Sequence, residues 1–192
     1  MVLAGVMADG RGMTDRLLAG VVARLIEDGV RVAGALRETG PSGESGQCDT
    51  ALRLLPEGPV VPITQNLGAG SAACRMDAGA LETAVALATA DLAANGADLV
   101  VLNKFGISEA EGRGFRALIG EAVANGVPVL VGLSETHRAA FGRFADSMAI
   151  DLPPSEEGVI AWCRAVITPA PDAASVVADR MGKSGGLSGQ RS

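Results

Sequence analysis

Four short, mostly apolar runs, each closed by a turn signal, alternate along this chain with segments whose apolar residues recur at helical spacing. No other feature restricts the fold as much. The runs are residues 1–7 (MVLAGVM), 30–36 (VRVAGAL), 98–103 (DLVVLN) and 127–133 (VPVLVGL). Runs this short and this continuous read as buried strands. Between the first two, Leu17, Leu18, Val21, Val22, Leu25 and Ile26 mark a helix that Thr14 or Asp15 can cap and Gly29 ends. The spacing predicts a β-α-β unit whose second strand is the parallel neighbour of the first.

Residues 51–55 and 60–64 read as two short strands around Pro56-Glu57-Gly58-Pro59, a hairpin-like excursion. The Ala- and Leu-rich stretch 78–95, stopped by Gly96, reads as a long helix. Further helices are expected at about 114–125, 135–145 and 154–166, with a short strand at 147–152 between the last two. This alternation predicts a three-layer α/β sandwich with a mainly parallel sheet, in which ligands bind at the carboxyl ends of strands. Residues 1–168 are expected to form a single domain, and residues 169–192, rich in Pro, Ala, Gly and Ser, a flexible tail.

Composition narrows the class of partner. A net charge of -6 and 3% aromatic residues, with Tyr absent, argue against nucleic acid, which needs basic patches and stacking platforms. No run approaches the roughly 18 apolar residues that a membrane span requires, and residues 1–7 lack a basic leader. The expectation is a cytoplasmic protein without membrane attachment, for which exposed sheet edges make a homodimer plausible. Cys48, Cys74 and Cys163 are odd in number and form no C-x-x-C pair, so reduced thiols are expected.

Three loops could carry chemistry. Gly5 to Gly12 (GVMADGRG) has the glycine spacing of a phosphate-binding P-loop between a strand and a helix. Arg11 stands where that motif has Lys, Gly12 where it has the magnesium-binding hydroxyl, and Asp9 adds a negative charge; a hydroxyl follows at Thr14. A turn whose glycines serve backbone geometry alone fits the same residues. The segment after the third run, NKFGISEAEGRGFR, gathers Asn103, Lys104, Glu109, Glu111, Arg113 and Arg116. Lys104 could supply a phosphate cation and Glu109 the charge that Asn103 lacks; the alternative is a solvated loop of surface pairs. The loop GAGSAACRMD brings Ser71, Cys74 and Arg75 ahead of a helix, a candidate anion nest, and Cys48 could join Cys74 as a soft-metal ligand. Trp162 and Cys163 sit among apolar residues and read as core.

Taken together, QCD (47–49), LGAGSAACRMD (67–77), LNKFGISEAEGRGF (102–115) and AWC (161–163) resemble the bacterial domain-of-unknown-function family 2478, over about residues 1–165. The resemblance implies an association with molybdate transport and molybdenum-cofactor proteins. It also implies a layout like a degenerate P-loop nucleoside triphosphatase. In such relatives the first loop keeps Lys and Thr or Ser, and the strand before the acidic loop ends in an acid; this chain has Arg11, Gly12 and Asn103. The reading is therefore a nucleotide- or phosphate-binding protein in molybdenum handling, taking ATP or GTP with Mg and hydrolysing it weakly or not at all. Gly10, Arg11, Gly12 and Thr14 would lie at the phosphates, with Lys104 and Glu109 opposite. The alternative is a noncatalytic binder of molybdate or a molybdenum cofactor through Ser71, Cys74, Arg75 and Cys48, serving as sensor, carrier or adaptor.

Overall fold

A computed structural model of the chain describes residues 2–38, 50–65 and 75–167. The apolar runs are strands, as their continuity demands: β1 (Leu3–Val6), β2 (Val32–Arg37), β7 (Leu99–Leu102) and β8 (Val129–Gly132) are buried along almost their whole length. Between β1 and β2 runs helix α1 (Met13–Glu27). The hairpin is β3 (Ala51–Leu55) and β4 (Val60–Pro62), turning at a cis Leu55–Pro56 bond. The expected strand at 60–64 is split, because Ile63 is buried and Thr64–Gln65 (β5) pairs instead with Arg75–Met76 (β6). Helix α2 (Ala78–Asn95) starts on Asp77, whose carboxylate accepts from the Ala80 N–H at 3.0 Å, and stops at Gly96.

The helix expected at 114–125 is α4 (Arg116–Ala124), preceded by a single turn, α3 (Ile107–Ala110). Helix α5 (Glu135–Ala145), strand β9 (Ala149–Leu152) and helix α6 (Glu156–Val166) complete the described fold. The proposed tail, residues 169–192, lies outside the described residues.

The main sheet has seven strands in the order β4-β3-β2-β7-β8-β1-β9. The strands β2, β7, β8, β1 and β9 run parallel, and the β3–β4 hairpin adds the antiparallel edge. One expectation needs correction. β2 is parallel to β1 but is not its neighbour: β7 and β8 stand between them, and β1 pairs with β8 and β9. A burial pattern tells a strand that both its faces are covered, but not which strand lies beside it. A right-handed crossover is equally free to pass over intervening strands.

Each face of the sheet carries a layer. Ala4, Val6, Leu99, Val101 and Leu130 pack with Leu18, Val21, Val22 and Leu25 of α1 and with Val159, Ile160 and Cys163 of α6. Leu3, Val100, Leu102, Val129 and Val131 pack on the other side with residues of α2, α4 and α5, around Phe105 and Phe141. Successive residues of β7 alternate between the two clusters, so this central strand is apolar at every position instead of every second one. Cys163 is fully buried and burial pushes its thiol up to about 12, which keeps it neutral filling, with Trp162 packed beside it. Among the described residues no helix is long and apolar enough to cross a membrane.

Candidate functional site

All five parallel strands deliver their carboxyl ends to one side of the sheet, and there a cleft of about 540 Å³ opens. Its walls come from four places in the sequence: Met7 to Asp15 after β1, Arg37 at the end of β2, Asn103 and Lys104 after β7, and Leu133 to Glu135 after β8. A second hollow of about 450 Å³ lies between α1 and α6, walled by Arg24, Glu156, Glu157 and Arg164. It brings no strand end and no loop candidate with it.

The first wall is built by glycine. Gly10 has φ 98° and Gly12, the residue before α1, φ 75°, a region in which a side chain is strained. Because Gly12 carries no side chain, α1 begins without a side-chain cap; the Met13 N–H turns back to the Gly10 carbonyl at 3.2 Å, and Gly12, Thr14 and Asp15 line the cleft. The expected cap at Thr14 or Asp15 is not made. The helix starts at Met13, and the Thr14 hydroxyl turns back to accept from the Ala8 N–H at 3.0 Å, closing the turn on itself. Arg11 is exposed on this turn and, among the described residues, has no ion-pair partner; Lys104, across the cleft, is the same.

The second wall depends on close backbone approach. A Cβ on Gly132 would stand 2.0 Å from the Asn103 carbonyl oxygen, so only glycine at the end of β8 lets the chain leaving β7 lie against it. The Phe105 N–H then donates to the Gly132 carbonyl at 2.9 Å. Asn103 is also bonded sideways: its Oδ1 accepts from the Arg37 N–H at 3.1 Å, joining the ends of β7 and β2. That donor sets the orientation of the amide group and, among the described residues, leaves the two N–H donors of Nδ2 without a partner.

Glu109 departs from expectation. It is 5% exposed and is not part of the cleft. One carboxylate oxygen accepts from the Gly106 N–H at 2.8 Å and the other from the Phe115 N–H at 3.0 Å. The residue caps α3 and ties it to the start of α4, because this turn-rich segment has backbone donors that nothing else nearby satisfies. Arg116 is likewise structural, donating to the Glu109 carbonyl at 3.2 Å and lying 4.6 Å over the Phe144 ring. Glu111 and Arg113 form an exposed pair.

Cys48, Ser71 and Cys74 lie outside the described residues, and of Arg75 only the backbone, in β6, is described. The β5–β6 pair is linked through Thr50 to Arg37. Thr64 in β5 accepts from the Thr50 N–H at 3.0 Å, and the Thr50 hydroxyl is 3.5 Å from the Arg37 guanidinium.

Sequence reasoning passed over Arg37, Asp15 as a cleft residue, Ser134 and Glu135. Only the strand order brings the ends of β2 and β8 beside the glycine turn, and no local signal announces it. Formal charges in the cleft balance, with Arg11, Arg37 and Lys104 against Asp9, Asp15 and Glu135. The donor set does not suit a protein-held divalent cation. Asn103 spends its oxygen on a backbone amide, Thr14 spends its hydroxyl on the turn, and among the described residues no three His, Cys, Asp or Glu side chains gather to hold a metal.

Fold and site together define a class: a three-layer α/β sandwich with a mainly parallel sheet, whose cleft at the strand ends is bounded by a glycine turn between its first strand and first helix. The chain belongs to the family described as protein of unknown function (DUF2478), whose model matches residues 3–162. Over 150 residues, 78% of this chain, it is 34% identical to the molybdenum import ATP-binding protein ModC 2 of Bradyrhizobium diazoefficiens, of whose length it spans 17%. Among solved structures, THEP1 from the hyperthermophile Aquifex aeolicus matches with a TM-score of 0.56 at 15% identity, covering 86% of this chain and 96% of that one. The likeness to THEP1 is one of fold.

Proposed function

We propose that the cleft binds the phosphate groups of a nucleotide, ATP or GTP, with slow or no hydrolysis, and that it does so in the cytoplasmic handling of molybdate or the molybdenum cofactor. The observation that carries this reading is the convergence of the uncapped start of α1 and the cations Arg11 and Lys104 on one cleft. Free amides at a helix start, aligned with the helix dipole, form an anion site, and α1 is 15 residues long. Arg11 takes the place of a phosphate lysine and adds planar, bidentate pairing to its charge. Lys104 reaches in from a second strand.

Weak turnover follows from the same geometry. Phosphoryl transfer needs a positioned cation and an oriented nucleophile, and neither Gly12 nor Asn103 supplies what the usual residues there would. Asp9, exposed on the turn, opposes charge accumulating at the phosphates. The molybdenum side of the proposal rests on the 34% identical relative, whose name speaks of molybdenum import and ATP binding. Molybdate-transport or cofactor-assembly proteins are the partners it suggests.

A second reading, a noncatalytic binder of molybdate or a molybdenum cofactor, is favoured by the anchoring of the β5–β6 hairpin beside Arg37. Calorimetry with ATP, GTP and molybdate separates the two. Nucleotide binding that Arg11→Ala reduces at least tenfold supports the first reading, and molybdate binding lost with Cys74→Ala supports the second. Silence with all three ligands ends both.

A further inference from the structure

One cation of the cleft comes from neither the glycine turn nor the loop after β7. Arg37 is the last residue of β2, and its N–H is held by the Asn103 side chain one step beyond the last ladder bond, where the Asn103 N–H meets the Ala35 carbonyl at 2.8 Å. The backbone position of the guanidinium is thus determined by a side chain from the neighbouring strand. The guanidinium itself is held loosely: Nη1 is 3.5 Å from Asp15 Oδ2 and Nη2 3.5 Å from the Thr50 hydroxyl, both at the outer limit of hydrogen bonding. Elsewhere in this molecule ion pairs that join elements close more tightly, at 2.6 Å for Arg31–Asp98 and 2.6 Å for Arg53–Glu38. The Arg37 side chain is 40% exposed, and among the described residues three of its five N–H donors remain uncommitted.

Position adds to this. Arg11 and Lys104 follow β1 and β7 and Arg37 ends β2, and in the order β2-β7-β8-β1 the outer two strands lie three spacings apart, roughly 14 Å. Cations attached to strand ends that far apart suit an extended chain of phosphates better than one compact tetrahedral anion.

We propose that Arg37 is an anion-binding residue of the cleft and that Asp15 is its internal stand-in. In the free protein the Asp15 carboxylate occupies the guanidinium; a bound phosphate group displaces it, and Asn103 acts as the positioning residue. The proposal rests on the reading of the cleft as a phosphate site.

Titration calorimetry on the full chain with tripolyphosphate, and with inorganic phosphate for comparison, tests it. Tripolyphosphate is expected to bind the more tightly. Arg37→Ala should weaken it about tenfold or more, and Arg37→Lys should restore part of the loss. Asp15→Asn should tighten it about three- to fivefold, since it removes a competitor worth no more than an ordinary exposed pair. Asn103→Ala should weaken binding in the wild-type background and add little to Arg37→Ala, the signature of action through Arg37. Circular dichroism confirms folding, and Arg37→Gln carries the test if Arg37→Ala does not fold. Unchanged binding in Arg37→Ala, or weaker binding in Asp15→Asn, overturns the proposal, and a loss confined to Arg11→Ala would then leave the cleft reading standing. Wild-type protein that binds neither anion overturns both.

Discussion

Glu109 shows how far a residue's chemistry can lie from the role its sequence suggests. In a polar segment after a strand, a carboxylate reads as a candidate for catalysis, yet both its oxygens are consumed by the Gly106 and Phe115 amides and the group is buried. A Cβ on Gly114 would stand 2.3 Å from Oε1, so only glycine there leaves the carboxylate its place against the turn. Glu109→Ala strands two backbone donors and is expected to cost about 2–4 kcal/mol, read as a lowered urea midpoint. Tripolyphosphate affinity should stay within about twofold of wild type, because the residue is not in the cleft; a selective loss of affinity with stability intact would return Glu109 to the site. Thr14 is the converse case: a hydroxyl expected at the phosphates that does line the cleft, but spends its oxygen holding the turn in shape.

At the scale of elements, the ends of the strands opposite the cleft are tied as deliberately as those beside it. Asp98, just before β7, accepts from the Arg31 N–H at 2.9 Å and from its guanidinium at 2.6 Å and 3.2 Å, joining the entries of β2 and β7. These hydrogen bonds hold the Asp98 carboxyl below its ordinary value. A carboxylate whose pKa is lower folded than unfolded adds stability that is fully present above the unfolded value, about 3.9, and lost as pH falls through the folded one. Acid unfolding curves should therefore show Asp98→Asn about 1 kcal/mol less stable than wild type at pH 7, with the gap closing below about pH 4. A gap that widens in acid would contradict the sign.

Element types were largely legible, because unbroken apolar runs and helical spacing are local properties. Two strand bounds moved for local reasons of another kind: Asp146 and Ser147 adopt positive φ ahead of β9, and Ile63 breaks the expected strand at 60–64.

The whole molecule is what makes the cleft, since its walls follow the strand ends Val6, Arg37, Leu102 and Gly132, far apart in the chain and aligned by the sheet. A ligand that engages the glycine turn, Lys104 and Arg37 at once binds only the folded arrangement and so stabilises it by mass action. Tripolyphosphate at 100 times its dissociation constant is worth about 2.7 kcal/mol, or about 5–10 °C in melting temperature for a chain of this size. Scanning calorimetry should show that rise in wild type and a smaller one in Arg37→Ala. No rise at saturating ligand would mean that the strand ends do not act together.

What the residues determined unaided is the class of architecture and the place of the first loop. Continuous apolar runs require two covered faces, and the glycine ahead of α1 leaves that helix without a side-chain cap. What only the tertiary structure decided is which strands are neighbours. Periodicity reports burial and says nothing about adjacency, so the insertion of β7 and β8 between β1 and β2, and with it the meeting of Arg37, Asn103 and Asp15, had no trace in local pattern. The same limit hid the fate of Glu109: whether a carboxylate faces water or backbone amides depends on the turn that closes over it.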